Sequence, residues 1–284
     1  MAKGEWNGTR RLIEAAIAIL EQENPMTVRQ CFYRLVSAAC IENTRADYQK
    51  VSRALTRARE DGRCDYDWVV DRSRPEYAPN VFDDPGDYAR IVQRSYRRDY
   101  WTSQPNYAEV WVEKDAIIGS IETVTDALGI RVRVGRGFVS TSKVHEIAEH
   151  FADVSKPITV FYCGDHDPSG RNIEQDVRAR VLAHGSGPFT MKRLAIHASD
   201  IRRFNLPPLQ VKLTDSRAFG FLVRYSNRCV ELDALPPTEL RRRIREAVLE
   251  LIDRELWDRA IAVEKVELAS IIDSVSRWPT RANA

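Results

Sequence analysis

Apolar residues recur at helical spacing from the start of the chain. Over residues 9–23, Leu12, Ile13, Ala16, Ile17 and Leu20 alternate with polar positions every three or four residues, which predicts an amphipathic helix. Asn24-Pro25-Met26-Thr27 interrupts it. Thr27 followed by Gln30 is a capping-box pattern, so a second helix starts at Val28. The turn Ile41-Glu42-Asn43-Thr44 leads into a third helix, about 45–60, that ends before Asp61-Gly62. Tyr66-Asp-Trp-Val-Val-Asp71 reads as a strand. Residues 75–106, rich in Pro, Asp, Tyr and Arg, read as a connector with one helix near 84–98.

The pattern then changes to strand–helix alternation. Strands are predicted at Ala108–Glu113, Ile130–Val134, Ile158–Cys163 and Phe189–Ile196. Helices are predicted at Ala116–Leu128, Ser142–Val154 and Asn172–Leu182. Such alternation means a parallel sheet with helices on both faces. After a Leu-Pro-Pro turn at 206–208 and a second proline pair at 236–237, Thr238 is expected to cap an amphipathic helix through about Arg254. The fold class is therefore α/β. Three helices and a strand hairpin at 1–75 have the order of a winged-helix DNA-binding domain. A connector covers 76–105, a Rossmann-like parallel-sheet domain 106–200, and a C-terminal helical extension 201–284.

Composition narrows the class without deciding it. Of the 284 residues, 43% are apolar and 30% charged, as in soluble globular proteins. No apolar run approaches the ~20 residues of a membrane span. Met-Ala-Lys-Gly-Glu-Trp has no apolar signal core, so a cytoplasmic location is expected, nucleoid-associated in a bacterial or archaeal cell. Cys31, Cys40, Cys64, Cys163 and Cys229 are scattered and form no C-x-x-C pair, which argues against a zinc site and a disulfide framework. A net charge of +2 is too small to imply nucleic acid by itself, so local clusters must make that case.

The candidate chemistry sits at strand ends. Ile158–Cys163 is followed by Gly164-Asp-His-Asp-Pro-Ser-Gly170, which puts Asp165 and Asp167 just past the carboxyl end of one strand; Glu113 ends another. Ligands of open parallel sheets sit at that edge. Carboxylates this close repel, and three of them can share an oxygen-seeking divalent cation such as Mg²⁺. A structural account competes: Asp167-Pro168 is also a helix N-cap followed by proline at the first helical position. Asp165 could be a solvated loop acid and Glu113 an exposed strand end. The single shared sheet edge favours the metal. His166, pointing the other way by strand alternation, stays outside the set. Glu231 and Asp233, in Val230-Glu-Leu-Asp-Ala234, have no evident reason to join it.

A strand-ending Glu113-Lys114, then Asp165-x-Asp167 at another strand end with Pro168-x-Gly170 behind it, resembles the Toprim domain of topoisomerases, primases and related nucleases. The Asp-His-Asp-Pro-Ser-Gly form looks most like the A subunit of topoisomerase VI and its meiotic double-strand-break relatives. That family joins Toprim to an N-terminal winged helix with a nucleophilic tyrosine in an Arg-acid-x-aromatic-Tyr motif. Arg29-Gln30-Cys31-Phe32-Tyr33 matches it, except that Gln30 stands where the acid is usual. The resemblance covers about residues 25–75 and 105–200. It implies catalytic residues Tyr33, Arg29 and Glu113, a Mg²⁺ ion on Glu113, Asp165 and Asp167, duplex DNA as partner, and a homodimer in which one subunit's tyrosine meets the other's metal. It also implies a separate ATPase subunit; no ATP-binding signature is found in this chain.

Helix geometry bears on Tyr33 independently. At about 100° per residue from Val28, Tyr33 falls near 140°, outside the apolar arc of Val28, Cys31, Phe32, Leu35 and Val36, and on a face with Arg29. An unburied Tyr33 is therefore expected. The third helix carries Lys50, Arg53 and Arg57 on one face, followed by Arg63, Arg72 and Arg74, as a recognition helix and wing would present to phosphates. A solvated helix face explains the same pattern. Arg131, Arg133 and Arg136 alternate near a strand end, and Arg241, Arg242, Arg243 and Arg245 read as solvent-facing charge paired with glutamates of their own helix. Three functions compete: tyrosine transesterification of DNA, hydrolysis of DNA by water at a Toprim site, and a non-catalytic winged-helix regulator. A Toprim primase is more distant, because zinc-binding cysteines are lacking.

Overall fold

Thr27 does what its position asks of it. Its hydroxyl accepts from the Gln30 N–H at 3.1 Å, and the Gln30 side chain accepts from the Thr27 N–H at 2.9 Å. This closes the capping box that starts α2 (Val28–Ser37) after α1 (Lys3–Glu23). Thr44 caps α3 (Arg45–Glu60) in the same way through the Asp47 N–H. The computed structural model describes residues 3–71, 79–135 and 140–278. The expected strand at Tyr66–Asp71 is instead a 3₁₀ turn, Tyr66–Trp68, followed by one parallel bridge from Val69 to Met26. Alternating aromatic and acidic residues there satisfy a half-exposed turn as readily as a strand edge, and Tyr66 lies 5.6 Å from the Arg59 guanidinium.

Four strands form one all-parallel sheet: β1 (Tyr107–Val112), β2 (Arg131–Val134), β3 (Ile158–Cys163) and β4 (Thr190–Ala195), in the order β2-β1-β3-β4. The helices α4 (Pro85–Ser95), α5 (Ile118–Ala127), α6 (Thr141–Asp153) and α7 (Pro168–Ala183) precede or connect them. Helices α6 and α7 cover one face, with Trp111, Phe151, Tyr162, Val177 and Phe189 in its core. On the other face Val110, Val112, Phe161 and Cys163 pack with Ile117, Ile121, Leu240 and Ile244. With both faces covered, β3 is buried along its whole length, which is why it reads as a continuous run.

The tail is more helical than expected. It holds α8 (Ala198–Arg203), α9 (Ala218–Arg224), α10 (Pro237–Leu249) and the 22-residue α11 (Arg254–Val275). Thr238 is not the cap: Pro237 opens α10, a position where a missing N–H costs nothing. Asp253 caps α11 by accepting from the Leu256 N–H. Two arginines expected in solvent are ties instead. Arg241 donates to the carbonyls of Glu23, Asn24, Pro25 and Ser120 at 2.8–3.1 Å. Arg243 binds Asp200 at 2.7 Å and the Leu194 carbonyl at 2.9 Å. Arg242 follows the expected pattern, pairing with Glu239 and Glu246 of its own helix; Arg243 shares Glu239, and Arg245 is exposed. The α1–α2 junction is thus fastened to α10 and α5, and the N-terminal helices share one continuous apolar cluster with the sheet. Among the described residues no helix is long and apolar enough to cross a membrane.

Candidate active site

The chain leaves β1 for β2 on one side, then returns past it to β3 on the other. The topological switch point therefore lies between the carboxyl ends of β1 and β3. Glu113 leaves β1 with its N–H on the Cys163 carbonyl, and its Oε2 accepts from the Asp165 N–H at 2.8 Å. The two expected strand-end acids are thus brought together. Glycines make the approach possible. A Cβ at Gly170 would stand 2.6 Å from the Asp165 carbonyl and 3.1 Å from Glu113 Oε2; one at Gly164 would stand 2.8 Å from that same oxygen. Asp167 is a true N-cap of α7: its carboxylate accepts from the Gly170 N–H at 2.6 Å. Below the loop, the buried Arg193 of β4 donates to the carbonyls of Gly164, Asp165, Gly170 and Ala195 and to Glu174. It holds the loop's shape, a role no local pattern announced.

Lys114, the residue after Glu113, neutralises much of this charge. Its ammonium lies 3.1 Å from Asp165, 3.1 Å from Glu231 and 2.8 Å from Asp233. Glu231 and Asp233, which no sequence pattern places here, arrive on a segment pinned to the acid loop. Val230 bridges His166 in both directions, and the Leu232 N–H donates to Asp165 Oδ1 at 2.7 Å. Burial raises the Asp165 carboxyl, and Glu113 adds to this, against the pull of Lys114. Burial also raises Glu113, with Asp167 adding repulsion and the Asp165 N–H opposing it. The three carboxylates therefore feel one another across the site. His166 is fully buried against Phe221 and Tyr225, with its pKa pushed down to about 4 by burial first and then by Arg171. It faces away from the acids, as strand alternation predicts.

No family model matches the chain, and no curated protein matches it.

The donor set suits a hard cation. Glu113, Asp165 and Asp167 lie at one sheet edge, the first two raised by burial, beside glycines where a Cβ would clash. As the side chains stand, no group of three His, Cys, Asp or Glu among the described residues is placed to hold a metal. Asp165 shares its Oδ1 with Lys114 and the Leu232 N–H, and Asp167 caps α7 with its Oδ1. Binding Mg²⁺ would require these carboxylates to turn.

Tyr33 departs from expectation. It is only 4% exposed, its ring 5.2 Å from Phe32. Helical periodicity leaves this face of α2 to solvent, but the 3₁₀ turn Leu232–Ala234 packs against it. Arg29 lies 5.7 Å from the Tyr33 ring centre and binds the Glu231 carboxylate at 2.6 Å. Burial raises the Tyr33 phenol, Glu231 raises it further, and Arg29 opposes both. A continuous charged chain, Arg29–Glu231–Lys114–Asp165, therefore runs from the tyrosine's helix to the strand-end acids of the same molecule.

Lys50, Arg53, Arg57 and Arg63 are all exposed. Lys50 pairs with Asp47 at 2.9 Å, and Arg57 lies 3.6 Å from Asp61. The first three line a groove of about 1170 Å³ between α1 and α3, over Leu12, Ala15 and Ala54. Arg72, Arg74 and Arg136 lie outside the described residues. Arg133 is not surface charge: with Tyr107, Trp111 and His150 it encloses the fully buried Glu109, at 2.6 Å from its carboxylate.

Proposed function

We propose that the chain is a Mg²⁺-dependent, DNA-cleaving protein of the winged-helix and Toprim kind, acting by tyrosine transesterification. The observation that carries this reading is the charged chain joining Tyr33's helix to the acids at the switch point. When bound, Mg²⁺ on Glu113, Asp165 and Asp167 supplies positive charge for phosphate oxygens. The Tyr33 oxygen attacks phosphorus and gives up its proton. A phosphotyrosine bond forms as the bond to O3′ breaks, and the released O3′ takes a proton. A phenol titrating near 10 and raised by burial needs a cation beside it, and Arg29 is the group at hand. Lys50, Arg53, Arg57 and Arg63 supply backbone contacts that position the duplex. The chain works as a homodimer, each copy cutting one strand; the charged chain links each Tyr33 to the acids of its own molecule, where the resemblance implies the partner's, and strand passage falls to a separate ATPase subunit.

Tyr33's burial favours a second reading, in which the acids direct water onto the phosphate and the tyrosine is structural. Tyr33→Phe separates the two. Under transesterification, Mg²⁺-dependent cleavage of supercoiled DNA and the covalent protein–DNA band on a denaturing gel both vanish while binding persists. Continued cleavage with no adduct in the wild type would leave the hydrolytic reading standing.

A further inference from the structure

Glu231 is held as a phosphate would be. Its carboxylate takes Arg29 at 2.6 Å and Lys114 at 3.1 Å. These two cations come from different elements, α2 and the end of β1. Arg29 also lies over Tyr33, and Lys114 also touches Asp165, so an anion between them is flanked by both candidate catalytic groups. The backbone around Glu231 is fixed by the His166–Val230 bridge and the Leu232-to-Asp165 bond. Its side chain is nevertheless partly open, at 23% exposure, and Arg29 is 47% exposed. The carboxylate can leave by rotation without unfolding the segment, and Lys114 keeps Asp165 and Asp233 when it does.

We propose that Arg29 and Lys114 form a seat for one phosphodiester of DNA, which Glu231 fills as an internal competitor until DNA displaces it. Two non-bridging phosphate oxygens replace the two carboxylate oxygens, a charge-assisted exchange of like for like. The seat rests on the DNA-cleaving reading above and deepens it, because it places one phosphate between the Arg29–Tyr33 pair and Asp165. Glu231 then sets a threshold, because only an anion that outcompetes a tethered carboxylate takes the seat.

Binding of a short duplex DNA, measured in EDTA against salt, tests this without any cleavage. Glu231→Gln should bind roughly 5- to 10-fold tighter, with a salt slope steeper by about one unit because no displaced carboxylate takes up a cation as the phosphate arrives. Adding Arg29→Ala should abolish that tightening, and Arg29→Ala alone should weaken wild-type binding, since the seat then loses one of its two cations. Unchanged or weaker binding by Glu231→Gln overturns the proposal. So does a tightening that survives Arg29→Ala, which would mark a long-range charge effect. Glu231→Ala provides a second variant, and loss of folding in both, read by circular dichroism, would make Glu231 a structural tie and overturn the seat. If the wild type binds no DNA at all, the DNA-cleaving reading fails first and takes the seat with it.

Discussion

Asp167 has two roles that one pair of substitutions can separate. Its carboxylate caps α7 through the Gly170 N–H at 2.6 Å, and it is one of three candidate ligands. Asparagine caps about as well as aspartate, so Asp167→Asn keeps the cap and removes the charge; Asp167→Ala removes both. Losing an N-cap costs about 1 kcal/mol. The favourable charge at the helix N-terminus is worth roughly 0.3–1 kcal/mol, and relief of repulsion with Glu113 offsets part of it. For a chain of this size each kcal/mol moves Tm by about 2–4 °C. Asp167→Ala should therefore melt roughly 2–4 °C below wild type, and Asp167→Asn within about 1–2 °C of it. Cleavage should separate from stability. If the carboxylate is a ligand, both variants lose Mg²⁺-dependent nicking of supercoiled DNA by more than about 100-fold, the upper end of what even outer-shell partners cost. An Asp167→Asn protein that nicks within a few-fold of wild type would refute the ligand assignment and leave Asp167 as a cap alone.

Two further outcomes follow from the packing. Glu109→Ala strands Arg133 beside an empty buried site and should cost about 3–5 kcal/mol in urea unfolding; a loss below about 1 kcal/mol would show that the network is dispensable. Glu239 is held down to about 2, chiefly by hydrogen bonds from Arg242 and also from Arg243, against its burial. A depressed carboxyl contributes stability that is present above its unfolded pKa, near 4.5, and lost as pH falls towards the folded value. Between pH 5 and about pH 3 wild type should therefore lose more Tm than Glu239→Gln; equal losses would remove the linkage.

The parallel sheet is legible in the sequence because its signal is local. β3 is a six-residue apolar run, and strand edges shift by only a residue elsewhere. Glu113 and Asp165 are legible for the same reason: being last on a buried strand fixes where a side chain emerges. What cannot be read is whatever a distant segment supplies. Glu231 reaches Lys114 across 117 residues and Arg29 across 202. Periodicity misplaces Tyr33 because it reports only whether one face is apolar. It cannot say that a second segment, Leu232–Ala234, covers the other face. Arg241 and Arg243 look like their neighbour Arg242, yet backbone carbonyls from α1 to β4 claim them. Arg241's hydrogen bonds to carbonyls leave no acid in the sequence to betray them, and Arg243's distant acid, Asp200, lies 43 residues away.

Whether Glu231 is a latch or a fastening depends on what else holds α2 to the sheet. Arg29–Glu231 is one tie. Gln30 donates to the Ser120 hydroxyl at 3.3 Å, and Arg241 grips both the carbonyls ahead of α2 and that of Ser120. The apolar cluster running from Phe32 and Leu35 to Leu232 and Leu235 adds non-directional support. None of these passes through the Glu231 carboxylate. Breaking a pair whose members are 47% and 23% exposed should cost no more than about 1 kcal/mol, since Arg29 can hydrate and Lys114 keeps two other carboxylates. Glu231→Gln should therefore melt within about 2–4 °C of wild type, so that any rise in DNA affinity reads as release of the seat. Arg241→Ala should do the reverse: it strands four carbonyls, should lower Tm by more than Glu231→Gln, and leaves the Arg29–Glu231–Lys114 contacts untouched. If the order of the two melting temperatures is inverted, Glu231 is the fastening, and α2 is held to the sheet by the charges that were to receive DNA.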